Sequence, residues 1–125
     1  MSSIMEQYEQ RAGASLAQAI DVAHLARQTL GDRTLEREVL ELFRRQARIL
    51  LFRFEALTNP AERSQIAHTL KGSARGIGAT RVALAAEELE RAANAGEPTG
   101  KALAEVAESI AEATSAIELR FGLDR

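Results

Sequence analysis

Apolar side chains recur every three or four residues along most of this 125-residue chain. Such spacing places them on one face of an α-helix, whereas a strand would need strict alternation. The longest run follows Asp32 and has one polar member: Leu35, Val39, Leu42, Phe43, Gln46, Leu50, Phe54 and Leu57. Aromatic residues make up 4% of the chain and only two prolines occur, a composition that favours helices over strands. The chain is therefore predicted to be all-α.

Residues that typically start and stop helices divide the chain into segments. Asp21 and Asp32 are typical N-caps, and Asn59 followed by Pro60 is typical of a helix start. We expect a short helix over residues 22–30, closed by Gly31, and a long one from Asp32 to Leu57. The next helix should run from about residue 61 to residue 75 and end at Gly76-Ile77-Gly78. Two more should follow, over residues 80–95 and 98–121.

The short connections between these segments indicate that neighbouring helices are antiparallel. We therefore predict an up-and-down antiparallel four-helix bundle with a short additional N-terminal helix packed across one end. At this length the chain forms one domain. Residues 1–15 are weakly patterned and are interpreted as a loose or marginally helical arm, and residues 16–125 as the bundle domain.

Charge and composition exclude several classes of function. A net charge of −2 argues against a nucleic-acid partner. The chain has no cysteine, which excludes disulfides and thiolate metal sites. No apolar stretch has membrane-spanning length, and residues 1–10 lack the pattern of a signal peptide. We expect a cytoplasmic protein without a membrane partner, most simply a monomer.

The segment Ala67-His68-Thr69-Leu70-Lys71-Gly72-Ser73 stands out within the third predicted helix. A glycine inside a helix costs about 1 kcal/mol relative to alanine, so Gly72 needs a reason. On a helical wheel, His68 falls on the solvent side with Lys71, Gly72 and Arg75, opposite the apolar residues. By contrast, His24 has no such neighbours, and we expect no functional role for it.

An exposed imidazole is a nitrogen nucleophile that can carry a group covalently. Lys71 and Arg75 could balance the charge of a phosphoryl group. The chain has no glycine-rich phosphate loop, and no acidic cluster marks a Mg²⁺ site. We therefore expect a carrier without a cofactor of its own, not an enzyme, whose phosphoryl donor and acceptor are other proteins.

The Ala67–Ala74 segment, together with Gly78-Ala79 and Ala86-Glu87-Glu88-Leu89-Glu90, resembles a histidine-containing phosphotransfer (HPt) domain. The resemblance is strongest over residues 66–93. It implies a four-helix bundle whose histidine carries phosphoryl groups between receiver-domain aspartates in bacterial two-component phosphorelays.

The same resemblance implies a role for particular residues. His68 would be the phosphoacceptor, Lys71 the phosphate-facing cation, and Gly72 the position that gives a receiver room. Ser73 and Gly78 would support the site structurally. The implied partners are response-regulator receiver domains and a hybrid histidine kinase, and any Mg²⁺ would be held by the receiver.

Two positions depart from the family pattern. Arg75 stands where members often have a small or amide residue, which makes the site more basic. Glu90 stands where some members have glutamine. It could orient the imidazole or remain solvated on its helix, and we favour the solvated state.

Other interpretations stay open. A helical adaptor could dock receiver or kinase domains without carrying phosphate. The phosphoacceptor helix of a histidine kinase is less consistent with the sequence, because no ATP-binding module follows. We also expect a basic rim around the histidine, formed by Arg63, Lys71, Arg75 and Arg81, to attract an acidic partner.

Overall fold

A computed structural model of the chain describes residues 19–122. All the regular elements in this range are helices, which confirms the all-α prediction: α1 (Val22–Thr29), α2 (Arg33–Ala56), α3 (Pro60–Ile77), α4 (Thr80–Ala95) and α5 (Gly100–Phe121). None of these five helices combines the length and hydropathy that crossing a bilayer requires. The predicted arm, residues 1–15, lies outside the described residues.

Side-chain caps start the first three helices where the sequence predicts them. The Asp21 carboxylate accepts a hydrogen bond from the His24 backbone N–H. The Asp32 carboxylate accepts from two backbone N–H groups of the first turn of α2, and the Asn59 side chain accepts from one in α3. Each bond satisfies a donor that the helix itself leaves unpaired.

The four long helices pack in a ring, with α2 against α3, α3 against α4, α4 against α5, and α5 against α2. Short connections make each consecutive pair antiparallel, and α1 packs on α2 and α3. The core between them is aliphatic with two phenylalanines, Phe43 and Phe54. The largest of its other fully buried side chains are Ile20, Leu25, Leu40, Leu70, Leu89 and Ile117. This arrangement confirms the predicted bundle with an extra short helix.

The buried stripe of α2 is narrower than predicted. Leu40 and Ala47 are fully buried, whereas Leu35 and Leu42 are 40% and 50% exposed and Gln46 lies in solvent. The exposed positions lie on the flank of α2 beside α3, and no described helix covers that flank. The spacing of three and four residues therefore predicted more buried positions on α2 than the structure has.

The end of α3 also differs from the prediction. Gly76 does not break the helix, which continues to Ile77 and ends at Gly78 with a left-handed φ of 79°. The Asp21 backbone N–H donates to the Gly78 carbonyl at 2.8 Å. The His24 ring Nε2 lies 3.2 Å from the Gly76 carbonyl oxygen, to which it donates. Helix α1 thus satisfies carbonyls that the last turn of α3 leaves unpaired.

Gly78→Ala should destabilise the fold more than Gly96→Ala. Both glycines have a left-handed φ, but a Cβ at Gly78 would lie 3.0 Å from the Asp21 carbonyl oxygen, whereas Gly96 has open space. We expect a loss in the free energy of unfolding of about 1 kcal/mol for Gly96→Ala and about 2–4 kcal/mol for Gly78→Ala. Urea unfolding measures both values, and equal losses would contradict the close contact between α1 and α3.

Candidate functional site

His68 lies in the middle of α3, on the face that the helical wheel predicts. Its side chain is 58% exposed. The residues on the opposite side of the helix, Ile66, Leu70 and Ala74, are buried in the core. The imidazole is therefore carried on a helix that is anchored by its apolar face, and a second macromolecule can reach it.

Glu90 of α4 binds both His68 and Lys71. Its Oε2 lies 2.9 Å from His68 Nδ1, and its Oε1 lies 2.7 Å from Lys71 Nζ. The Glu90 side chain is only 19% exposed. The interpretation of Glu90 as a solvated surface residue was therefore wrong. The antiparallel packing of α3 and α4 brings it level with the His68–Lys71 turn.

The two hydrogen bonds determine the state of the carboxylate. The hydrogen bond from Lys71 lowers the pKa of Glu90 below its ordinary value, and the bond from His68 adds to this, although partial burial opposes both. Glu90 is consequently ionised at neutral pH. An ionised carboxylate only accepts hydrogen bonds, so the neutral ring of His68 carries its hydrogen on Nδ1. The lone pair available for chemistry is then on Nε2.

Lys71 is less accessible than the helical wheel indicates. Its side chain is 14% exposed, and its ammonium group is bound to Glu90. The helical wheel placed Lys71 on the solvent side with His68, but α4 covers this flank of α3. Its charge nevertheless remains within one helical turn of the imidazole.

Gly72 lies on the exposed face of α3, one turn after His68. A Cβ built there meets no atom within 4 Å. Nothing within the described residues therefore requires a glycine at this position. Ser73 is half-buried and, with Val39, Leu42 and Ile77, lines a groove of about 190 Å³ between α2 and α3.

The predicted basic rim does not form as a set of free cations. The Arg63 guanidinium stacks on the Phe54 ring, 4.2 Å from its centroid. Arg81 pairs with Glu108 and Glu112 of α5, on the side of α4 away from α3. Arg75 is 59% exposed, and its Nη2 lies 3.6 Å from Glu87 Oε2. Of the four predicted residues, Arg75 alone is an exposed cation on the face of α3 that carries His68.

Removing the Lys71 charge should raise the pKa of Glu90. In the native chain we expect the Glu90 carboxyl to titrate below the ordinary glutamate range. Its ionised form then stabilises the fold at pH values above the unfolded-state pKa, and this contribution disappears as pH falls through the folded-state pKa. Carbon-13 NMR of the carboxyl groups should show the Glu90 midpoint move upward in Lys71→Met, since the Lys71 hydrogen bond is the largest cause of the shift.

Lys101→Met is the matched control, because Lys101 lies in the first turn of α5 and makes no contact with Glu90. It should leave the Glu90 midpoint in place. Equal midpoints in the wild type and Lys71→Met would show that the ammonium does not hold the carboxylate.

Comparison with known proteins bears on this geometry. The family model of the Hpt domain matches residues 3–116. A search of curated protein sequences found no match.

Among solved structures, the chain is similar to a protein from rice described as a histidine-containing phosphotransfer protein. The TM-score is 0.66 at 18% sequence identity, and the superposition covers 96% of this chain and 98% of the rice chain. At that identity the likeness establishes the fold. The family match extends over nearly the whole sequence and includes the histidine motif. The chain therefore belongs to the Hpt domain family of phosphotransfer proteins.

Proposed function

We propose that this chain accepts a phosphoryl group on His68 Nε2 from a receiver-domain aspartate and passes it to the aspartate of another receiver. The observation that carries this proposal is the hydrogen bond between His68 Nδ1 and the Glu90 carboxylate. This bond places the hydrogen of an exposed imidazole on one nitrogen and leaves the other as a nucleophile.

The transfer step needs no additional proton donor or acceptor. The Nε2 lone pair attacks the phosphorus of the aspartyl phosphate, and the bond between phosphorus and the carboxyl oxygen breaks. The aspartate leaves as a carboxylate, and the ring becomes a phosphoimidazolium that keeps its hydrogen on Nδ1. The anionic Glu90 stabilises this cationic ring. The reverse step on a second receiver regenerates the neutral imidazole.

Lys71 supplies positive charge beside the transferred group. In phosphoryl transfer the protein contributes mainly in-line positioning of the reacting groups and compensation of their charge. The ammonium is held 2.7 Å from Glu90 and lies within one helical turn of the imidazole, where its charge attracts the phosphoryl oxygens. Any Mg²⁺ that the step uses would be held by the receiver, whose carboxylates are suitable ligands.

An apolar surface beside the histidine suits a protein partner. Three exposed side chains of α2, namely Leu35, Leu42 and Ile49, are spaced seven residues apart and so share one flank. With Gly72 and Gly76 they form what we term the docking face, which includes the groove lined by Ser73. Exposed apolar surface of this kind marks interaction sites, and the two glycines let a partner backbone come close.

His68→Gln should abolish phosphoryl acceptance while leaving the fold intact, because glutamine cannot form the phosphoryl bond and the position is largely exposed. Incubation with radiolabelled phospho-receiver should label the wild-type chain with an acid-labile, alkali-stable bond and should leave His68→Gln unlabelled. Circular dichroism should show equal helicity. Label retained in the variant would place the acceptor elsewhere, and receiver binding without any label on the wild type would favour the helical adaptor.

Gly72→Gln should stabilise the chain and yet slow transfer from a receiver. Glutamine is a better helix former than glycine, so the free energy of unfolding should rise by up to about 1 kcal/mol. The added side chain should reduce the rate of transfer at least about tenfold, equivalent to ~1.4 kcal/mol of barrier. Phosphoramidate, a small donor without a docking surface, provides the comparison: the loss should be much larger with the receiver. Equal losses with both donors would contradict a docking role for Gly72.

A further inference from the structure

A second ion pair joins α3 and α4 about one helical turn from the Lys71–Glu90 pair, toward the C-terminus of α3. Arg75 Nη2 and Glu87 Oε2 lie 3.6 Å apart, and the two side chains are 59% and 53% exposed. The Lys71–Glu90 pair is shorter, at 2.7 Å, and mostly buried. The two pairs therefore differ in kind: one is part of the site, and the other is open to solvent and loosely held.

Arg75 is placed to meet any partner that reaches His68. It follows the histidine by seven residues, so both side chains lie on nearly the same face, about 10 Å apart along the helix axis. A cavity of about 200 Å³ lies beside the pair and is also lined by His24 and the exposed Leu84. A partner side chain can thus enter next to the guanidinium.

Charges around the imidazole cancel in two pairs. Lys71 balances Glu90, and Arg75 balances Glu87. Without Arg75 the surface beside His68 would carry a net negative charge and would repel an anionic phosphoryl donor. Without Glu87 it would carry a net positive charge. Arg75 and Glu87 therefore shift the local field in opposite directions, although no hydrogen bond or ion pair joins either to the imidazole.

We propose that the Arg75–Glu87 pair selects the receiver partner: Arg75 binds an acidic side chain of the receiver, and Glu87 competes for the same guanidinium. This inference rests on the proposed phosphotransfer function and adds a determinant of specificity to it. Receivers that present lysine or arginine at this point are repelled by Arg75, so the pair discriminates by repulsion as well as by attraction.

The geometry of the pair suits exchange of partners. At 3.6 Å the contact is longer than a hydrogen bond, so the donors of the guanidinium are not engaged by Glu87. A carboxylate from a partner can bind two of them in the planar, bidentate arrangement that arginine favours. An exposed pair of this kind contributes little to stability, so opening it during docking costs little free energy.

Rates of transfer from phosphorylated receiver domains of the source organism test the proposal. The variants are Arg75→Gln, Glu87→Gln and the exchange Arg75→Glu with Glu87→Arg, each measured at low and high salt. For acidic receivers we expect Glu87→Gln to be at least about threefold faster than wild type and Arg75→Gln at least about threefold slower. Both differences should shrink at high salt. Each rate is divided by the rate with phosphoramidate, which reports the nucleophile alone.

The exchanged variant separates position from net charge. It keeps the net charge of the wild type but places a carboxylate on the face that carries His68, so it should be as slow as Arg75→Gln or slower. Arg91→Gln is the matched control. It removes the same charge, but Arg91 pairs with Glu88 and Glu97 near the turn between α4 and α5, and its normalised rate should stay at the wild-type value.

Wild-type rates in the exchanged variant, or equal losses in Arg75→Gln and Arg91→Gln, would overturn the proposal in favour of a net-charge effect. If receivers label His68 but the transfer rates do not change in the Arg75 and Glu87 variants, the proposal is overturned and the phosphotransfer function stands. A wild-type chain that no receiver labels would overturn both.

Discussion

One carboxylate shared by an imidazole and an ammonium group determines the geometry of the candidate site. Glu90 binds His68 Nδ1 through one oxygen and Lys71 Nζ through the other. The first bond places the hydrogen of the neutral ring on Nδ1, and the second lowers the pKa of Glu90 and so keeps the carboxylate ionised. The same bonds cross from α4 to α3, so the functional geometry also contributes to holding the two helices together. A carrier that must be loaded and unloaded needs its nucleophile oriented before any partner arrives, and this bond provides that orientation.

The rest of the fold keeps Glu90 level with His68. The register between α3 and α4 depends on the short turn at Gly78 and Ala79, where Ala79 is fully buried. Helix α1 holds this turn through the hydrogen bond from Asp21 to the Gly78 carbonyl. The turn at one end of the bundle and the position of Glu90 beside His68 are thus linked through helix register. The proposed docking face of α2 and α3 lies on the other flank of α3, away from Glu90.

Features that depend on local periodicity could be predicted from the sequence. The exposure of His68 and the open surface at Gly72 follow from the period of one helix, and the caps at Asp21 and Asp32 follow from side-chain chemistry. Periodicity and the short connections predicted the bundle, and the family resemblance implied the role that we propose for the histidine.

Features that depend on how two helices meet could not be predicted in this way. Glu90 belongs to a charged run on an amphipathic helix, where a solvated state is the ordinary expectation. Its contact with Lys71 requires the register of α3 against α4, and the exposure of Leu42 requires knowing which flank of α2 stays uncovered. A search for opposite charges at antiparallel positions, such as 71 with 90 and 75 with 87, would have found both ion pairs.

Nitrogen-15 NMR of the His68 ring tests the central claim most directly, because it distinguishes the two nitrogens of the neutral imidazole. With the ring neutral, we expect Nδ1 to show the chemical shift of a protonated nitrogen and Nε2 that of an unprotonated one. Treatment with phosphoramidate should then attach phosphorus to Nε2. A neutral ring protonated on Nε2, or a phosphoryl group on Nδ1, would contradict the assignment of the nucleophile and the part that Glu90 plays in it.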